Sequence, residues 1–491
     1  MTELGAILLF SWIPLVLVIF AALPPRQAVI FTFLTAYLFL PELRYPISGL
    51  PEFSKSSATA YGLALAILIF DNTRLARFRP SLLDIPILIY IMVDIPTSLT
   101  NGLGIYDGFT RSLGLAIEVG IPWVVGRLYF NDLEGLRELA KAIFISGLIY
   151  VPLCQFEIRF SPQLHNLVYG DHVHEFQQTI RFGGYRPTVF MRHGLLVGLW
   201  MSWATLCGIW LYATGTLKSL GGIPLYLLII PLAITTVMCK STGALGLLLV
   251  GCAILVWMKY AGASRATWPL YAIAGCVCGY LGVRVTGIWH GEQLVSLAES
   301  IVGGDRAHSL GYRLANERIL TEHAARRMLL GWGSWDRNRP PDSRVVTDSL
   351  WIIVFGINGI VGLAGFVGMM LGPPLLLARR VSTKLWMHPA VSVAPLFATI
   401  TVLTMVDLLL NSGYAPVLRA AMGGLAGFQV VKATQTTSWA AMVARMRAAG
   451  AAQTPQETPT QRAARRRQAA KSGGKGRQPT FEWPENKRDA P

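Results

Sequence analysis

The sequence predicts an all-α polytopic membrane protein, and three observations predict it. Hydrophobic residues make up 53% of the 491-residue chain and charged residues only 14%, where soluble domains carry roughly a quarter. Apolar windows of membrane length recur along nearly the whole chain, in line with a mean hydropathy of +0.47. Between residues 286 and 347 that run stops for one long polar stretch, which holds eight arginines against seven acids.

The apolar windows fall at residues 4–22, 27–41, 57–70, 82–98, 110–128, 139–157, 191–213, 221–239, 242–260, 266–285, 349–377, 391–411 and 415–433. They predict about 12–13 transmembrane helices. The first window lacks a basic flank and a small-residue cleavage site, so it reads as a retained helix. Cys154, Cys207, Cys239, Cys252, Cys276 and Cys278 lie in or at the edges of these windows. They are expected as small buried hydrophobes with no disulfide framework, and Cys276-Val277-Cys278 lacks zinc-ligand spacing.

Residues 1–434 are expected to form the transmembrane domain and residues 435–491 a basic disordered cytoplasmic tail. From Arg445 onward eleven Lys and Arg face four Asp and Glu, including the run Arg465-Arg466-Arg467. Such a tail suits anionic membrane lipids, while Phe481 and Trp483 are too few to stack bases, so nucleic acid is excluded as a partner.

Loop bias of Lys and Arg sets the orientation. Arg74, Arg77 and Arg79 mark a cytoplasmic loop, as do Arg127, Arg137 and Lys141, then Lys218, then Lys259 with Arg265, and then Arg379, Arg380 and Lys384. The alternation leaves two long loops, residues 159–193 and 286–347, on the external face, where positive charge is disfavoured. Arginine kept there calls for an anionic ligand, and guanidinium groups beside a bilayer suit a phosphate or pyrophosphate carried on a lipid.

The first loop runs Gly183-Gly184-Tyr185-Arg186-Pro187 and on through Arg192 and His193 into an apolar window. Gly and Pro fix the approach and set Arg186 and Arg192 near a helix N-terminus, whose free N–H groups favour an anion; snorkelling to headgroups would also place arginine there. The turn Lys240-Ser241-Thr242-Gly243 offers a second phosphate contact through Lys240 and Ser241. In the long loop, which carries Arg306, Arg313, Arg318, Arg326, Arg327, Arg337, Arg339 and Arg344, residues 309–330 read as a helix. Leu320, Ala324 and Met328 share one face of it, Arg313, Asn316 and Glu317 another, and Glu322 pairs with Arg326 at i, i+4. Gly331-Trp332-Gly333 follows, and then Asp348-Ser349 at the start of the next window. Asp348 reads either as a helix N-cap or as a carboxylate that serves the acceptor.

In this order these pieces resemble the O-antigen ligase and polymerase superfamily of bacterial envelope enzymes. The matching features are Arg186 with its Gly/Pro approach, the Ser241-Thr242-Gly243 turn, Arg313 at the head of an external helix, Gly331-Trp332-Gly333, and the helix pattern Gly356-Ile-Asn358-Gly359-Ile-Val-Gly362, over roughly residues 180–370. The resemblance implies a GT-C-type glycosyltransferase architecture in the bacterial cytoplasmic membrane, with its active site facing the periplasm. It implies transfer of a glycan from undecaprenyl diphosphate to an acceptor hydroxyl, with no metal or other cofactor. Polysaccharide chain-length or export proteins are the partners it suggests. Ligases of the superfamily usually carry His followed by Asn or Ser where this chain has Asp348-Ser349, a departure that points to the polymerase or exopolysaccharide branch.

Arginine neutralises pyrophosphate through paired hydrogen bonds but cannot act as a base. Arg186 and Arg313, with Lys240, Ser241 and Arg192, are therefore expected on the pyrophosphate. Asp348 leads as the group that accepts the acceptor's proton, with His193 and His323 behind it. His172 and His174 form a pair of imidazoles with no third ligand. Glu118 and Asp407 lie within apolar windows, where a charge requires a partner or a role. A transporter or flippase of a lipid-linked or anionic substrate is the rival class. It usually shows an internal repeat, which this sequence lacks.

Overall fold

Each predicted apolar window contains helix in the computed structural model, which describes residues 3–47, 50–171, 176–289, 291–302, 304–334, 336–341, 345 and 348–428. The α-helices begin with α1 (Glu3–Ala22), α2 (Pro25–Phe39), α3 (Lys55–Phe70), α4 (Asn72–Ala76), α5 (Ile85–Met92), α6 (Asp94–Thr100) and α7 (Ile105–Leu115). Then follow α8 (Ile121–Tyr129), α9 (Leu133–Phe160), α10 (Leu164–Tyr169), α11 (Gly194–Ala213), α12 (Leu225–Met238) and α13 (Thr242–Tyr260). The last among the described residues are α14 (Trp268–Val285), α15 (Glu292–Val302), α16 (Gly304–Ala325), α17 (Leu350–Arg380), α18 (Val393–Asp407) and α19 (Pro416–Gly427). Strands among the described residues are confined to three two-stranded hairpins. The basic tail, Arg344, His172 and His174 lie outside the described residues.

Among the described residues, seven helical stretches are long and apolar enough to cross a membrane: Glu3–Ala22, Leu82–Thr100, Leu133–Phe160, Gly194–Ala213, Thr242–Tyr260, Ala263–Val285 and Leu350–Arg380. Lys55–Phe70, Leu225–Met238 and Val393–Asp407 are shorter apolar helices beside them. The expectation of about 12–13 spans counted apolar windows without regard to breaks. Helices α2, α18 and α19 are short, and the window at 110–128 is divided by a π-helical turn at Ala116–Gly120.

Helices α1, α3, α12 and α13 expose large apolar side chains, among them Ile7, Val18, Leu68, Ile234, Leu249 and Val256. Exposed apolar side chains of that kind suit contact with lipid. The centre is α11, 83% of whose membrane-length window is buried. A helix that is hydrophobic all round belongs inside a bundle, and α11 packs against α9, α12, α13 and α18. Helices α8 and α19 touch through glycine: a Cβ at Gly126 would stand 1.8 Å from the Ala420 carbonyl oxygen, and one at Gly423 would stand 2.1 Å from that of Trp123. Small residues let backbones approach this closely within a membrane.

Helix α17 is broken. Gly359 sits at φ 63° and ψ −162°, so the bonds that Ile360 and Val361 would make to Gly356 and Ile357 are lost. Residues 328–333 of the long polar loop replace them. The N–H groups of Trp332 and Gly333 donate to the Gly356 and Ile357 carbonyls, each at 2.9 Å. In return the Met328 and Leu329 carbonyls accept from Ile360 at 2.8 Å and Val361 at 3.3 Å. Thr97 Oγ1 donates to the Leu330 carbonyl at 2.8 Å, and Asn101 Nδ2 to that of Gly331 at 3.0 Å. Asn358 Nδ2, beside the break, donates to Asp94 Oδ1 at 2.7 Å. Irregular backbone inside a membrane bundle needs this complete exchange of partners.

The polar loop contains α15 and α16, with two corrections to the sequence reading. The predicted helix over residues 309–330 stops at Ala325, where Arg326 N–H turns back to the His323 carbonyl at 3.2 Å. Arg326 therefore leaves the helical register, and Glu322 pairs with Arg318 at 3.0 Å in its place. Leu320 and Ala324 are buried as expected, whereas Met328, beyond the helix end, is exposed.

Candidate functional site

One end of the bundle gathers the C-terminus of α9 with the N-termini of α11, α13 and α17. Glu157, in the last turn of α9, is 0% exposed. Its carboxylate accepts the backbone N–H groups of Leu164 at 2.9 Å and of Thr188 and Val189 at 2.7 Å each. Val189 is held at φ 50°, an uncommon conformation for a β-branched residue. A buried carboxylate therefore pins the approach to α11, a role the sequence reading missed. On the same loop His165 accepts the Glu42 N–H through Nε2 at 3.4 Å. Burial pushes the His165 pKa below the ordinary histidine value, in keeping with a ring nitrogen that accepts.

That approach sets Arg186 at 3% exposure, with its stem against Gly194, where a Cβ would stand 2.4 Å from Arg186 Cδ. Arg186 Nη2 donates to the Lys240 carbonyl at 2.9 Å. Lys240 turns at φ 51°, and its Nζ donates to the Arg181 carbonyl at 2.9 Å. Ser241 occupies the N-cap position of α13 and packs on Gly198 of α11. Arg186, Lys240 and Ser241 are thus brought together where two helices begin. Arg192 stands apart with its side chain exposed; its backbone N–H donates to Glu42 Oε1 at 3.1 Å.

Arg313 and Asp348 form a second group. Arg313 Nε lies 3.5 Å from Asp348 Oδ2, and Nη1 donates to the Leu410 carbonyl at 2.9 Å and to Asn411 Oδ1 at 3.3 Å. Asn411 Nδ2 in turn donates to Asp407 Oδ1 at 2.8 Å. Asp407 therefore joins the same polar chain and does not pair with Glu118, whose backbone carbonyl accepts from Arg419. The loop after α18 links the two groups: Leu350 N–H donates to the Asn411 carbonyl at 3.0 Å, and a Cβ at Gly413 would stand 2.9 Å from Leu196 Cδ2 on α11.

Behind Arg313 lies a network that the sequence reading did not find. Arg284 and Glu317 are buried to 2% and 3% side-chain exposure and pair at 3.1 Å. Glu317 also accepts from Tyr280 at 2.9 Å, Ser349 at 2.5 Å and Trp351 at 3.3 Å. Glu317 is thus part of the packing between α14, α16 and α17, and not of an open patch with Arg313 and Asn316. Arg284 was the available signal, a charge inside the apolar window 266–285. Ser349 takes the N-cap position of α17, which leaves Asp348 with 40% of its side chain exposed and turned to Arg313.

The remaining loop arginines do not form one cluster among the described residues. Arg318 pairs with Glu322 and Arg339 with Asp336. Arg327 and Arg337 both reach Asn101. The side chain of Arg306 is outside the described residues. His193 caps α11 by accepting the Leu195 N–H at 3.0 Å. His323 is stacked on Trp332 with ring centroids 4.4 Å apart, and its Nε2 meets the Arg337 carbonyl at 3.0 Å. Both imidazoles are engaged in holding structure, so Asp348 is the more open proton acceptor of the three. Among the described residues no group of three or more His, Cys, Asp or Glu side chains is arranged to hold a metal ion. No protein-family model matches the chain, and no curated protein matches it either.

Proposed function

We propose that this protein is a GT-C-type glycosyltransferase of the O-antigen polymerase and ligase type, joining oligosaccharide repeats carried on undecaprenyl diphosphate at the external face of the bacterial cytoplasmic membrane. The observation that carries this reading is the Arg313–Asp348 pair, 3.5 Å apart at the start of α17. A cation fit for pyrophosphate stands beside a carboxylate fit for an acceptor hydroxyl, at an end where Arg186 and the starts of α11 and α13 add positive potential. The acceptor oxygen attacks the anomeric carbon, and its proton passes to Asp348. The bond from that carbon to the phosphate oxygen breaks, and the electron pair leaves on undecaprenyl diphosphate beside Arg313 and Arg186, with inversion at C1.

The test is a strain that lacks the gene, complemented with wild type, Arg313→Ala or Arg186→Ala at matched membrane levels. Loss of long polymer with accumulation of single lipid-linked repeats is expected in the deletion and in both variants, with activity down at least about 100-fold. Long lipid-linked polymer that never reaches its surface anchor would assign the ligase reaction instead. Normal polymer in both variants would reject the site.

A second reading, transport of a lipid-linked or anionic substrate, rests on the break in α17 at Gly359, since discontinuous helices are a recurrent transporter device. Movement of labelled lipid-linked substrate across proteoliposomes, with no glycan extension, would favour it.

A further inference from the structure

The opposite end of the bundle holds a cavity that the proposed reaction does not use. Helix α9 separates the two: its 28 residues, about 42 Å at 1.5 Å per residue, run from Leu133 beside the cavity to Phe160 beside Glu157. The cavity has a volume of about 660 Å³ and is lined by Arg74, Arg77, Arg79 and Arg127 with Asp71, among others.

Its carboxylates are already committed. Asp71 accepts from Arg74 Nε at 3.1 Å and from the Tyr129 hydroxyl at 2.9 Å. Asp84, behind the wall, accepts from Ser81 N–H at 2.7 Å and Trp123 Nε1 at 2.8 Å, and pairs with Arg127 at 3.2 Å. Arg127 itself is 9% exposed, and its buried Nε has no hydrogen-bond partner. That atom is closed off from solvent and Nη2 donates to the Arg79 carbonyl, so Arg127 braces the cavity wall and lends its charge to it. Arg77 and Arg79 on the rim are exposed, and neither guanidinium meets a partner among the described residues. Excess positive charge therefore faces an open space far larger than one water.

We infer that this cavity binds a phosphate-bearing ligand, and specifically the headgroup of an anionic phospholipid. Two features favour a lipid over a soluble phosphate. The chain on either side of the basic segment carries exposed apolar side chains, Phe70 before it and Leu82, Ile85 and Leu88 after it, so an acyl chain has a surface to follow. The volume also exceeds what an orthophosphate fills. The chain's own C-terminal segment, with eleven Lys and Arg against four acids from Arg445 onward, has the wrong charge to neutralise the site.

The experiment uses the full-length protein, stripped of lipid in a neutral detergent, and follows its thermal unfolding midpoint. The probes are dioleoylphosphatidylglycerol, dioleoylphosphatidylcholine and inorganic phosphate. The paired variant Arg77→Ala/Arg79→Ala removes two rim charges that hold nothing in place, so its midpoint without ligand should match wild type. The phosphatidylglycerol is expected to raise the wild-type midpoint saturably where the phosphatidylcholine does not, and the variant is expected to need about 10- to 30-fold more of it. An arginine-dependent shift with inorganic phosphate alone would place a soluble phosphate compound in the same site. No shift with any probe, or equal shifts in wild type and variant, would overturn the inference.

Discussion

Glu317→Ala is expected to lower stability by about 3–5 kcal/mol, because it strands the Arg284 guanidinium in a site with almost no access to solvent. The loss is not only Coulombic. Tyr280, Ser349 and Trp351 each give up their acceptor in the same step, and an unsatisfied buried donor costs about 1–3 kcal/mol. Ser349 matters most for function, since its bond to Glu317 fixes the residue next to Asp348 at the head of α17. Equilibrium unfolding in mixed micelles reads the stability, and under the proposed function polymer length in cells reads the site. The double variant Arg284→Met/Glu317→Leu separates the two. With both charges gone it should recover most of the lost stability, as replaced buried pairs often do. It should not recover polymer, because Ser349 still lacks its acceptor. Wild-type polymer from the double variant would reduce Glu317 to a structural role, and unchanged unfolding of Glu317→Ala would contradict the burial itself.

The broad architecture was legible because membrane insertion writes itself into composition: apolar windows show where helices run, and all of the predicted ones contain helix. Arg186 was singled out from its Gly/Pro approach to a helix, and Lys240 with Ser241 from a tight turn at the start of another; the structure brings the three side by side. Misreadings came where a choice depends on a partner distant in sequence. Glu322 had an arginine at either side within one turn, and only the end of α16 at Ala325 decides for Arg318. Glu317 looked like one more polar residue beside Arg313 because its partners Arg284 and Ser349 lie 33 and 32 residues away. Ser349 and Asp348 are adjacent, and either could cap a helix; Ser349 stands at the N-cap position, but Glu317 on another helix takes its hydroxyl, so it does not cap. The break in α17 was not foreseen. Glycine in an apolar helix is common, and nothing local distinguishes Gly359 from Gly362 or Gly365.

Gly359→Ala should therefore test the least legible feature of the fold, and it is expected to damage the protein more than any other glycine-to-alanine change in α17. The backbone there lies at φ 63° and ψ −162°, a region open essentially to glycine alone, which costs an L-residue about 1–3 kcal/mol. Space is lacking as well, since a Cβ would stand 2.3 Å from the Leu329 carbonyl oxygen, which is backbone and cannot swing aside. Overpacking of that kind adds about 1–3 kcal/mol. Relief requires residues 328–333 to withdraw, which would strip partners from Gly356, Ile357, Ile360 and Val361 and loosen the Trp332 stack on His323. The change should lower the unfolding midpoint and open that segment to protease. Gly279→Ala in α14 is the control. A Cβ at that position meets nothing within 4 Å, so the same chemical change in an open helix should stabilise by about 0.5–1 kcal/mol. Opposite signs for the two variants would tie the effect to the break, whereas equal small effects would mean that α17 runs straight through Gly359.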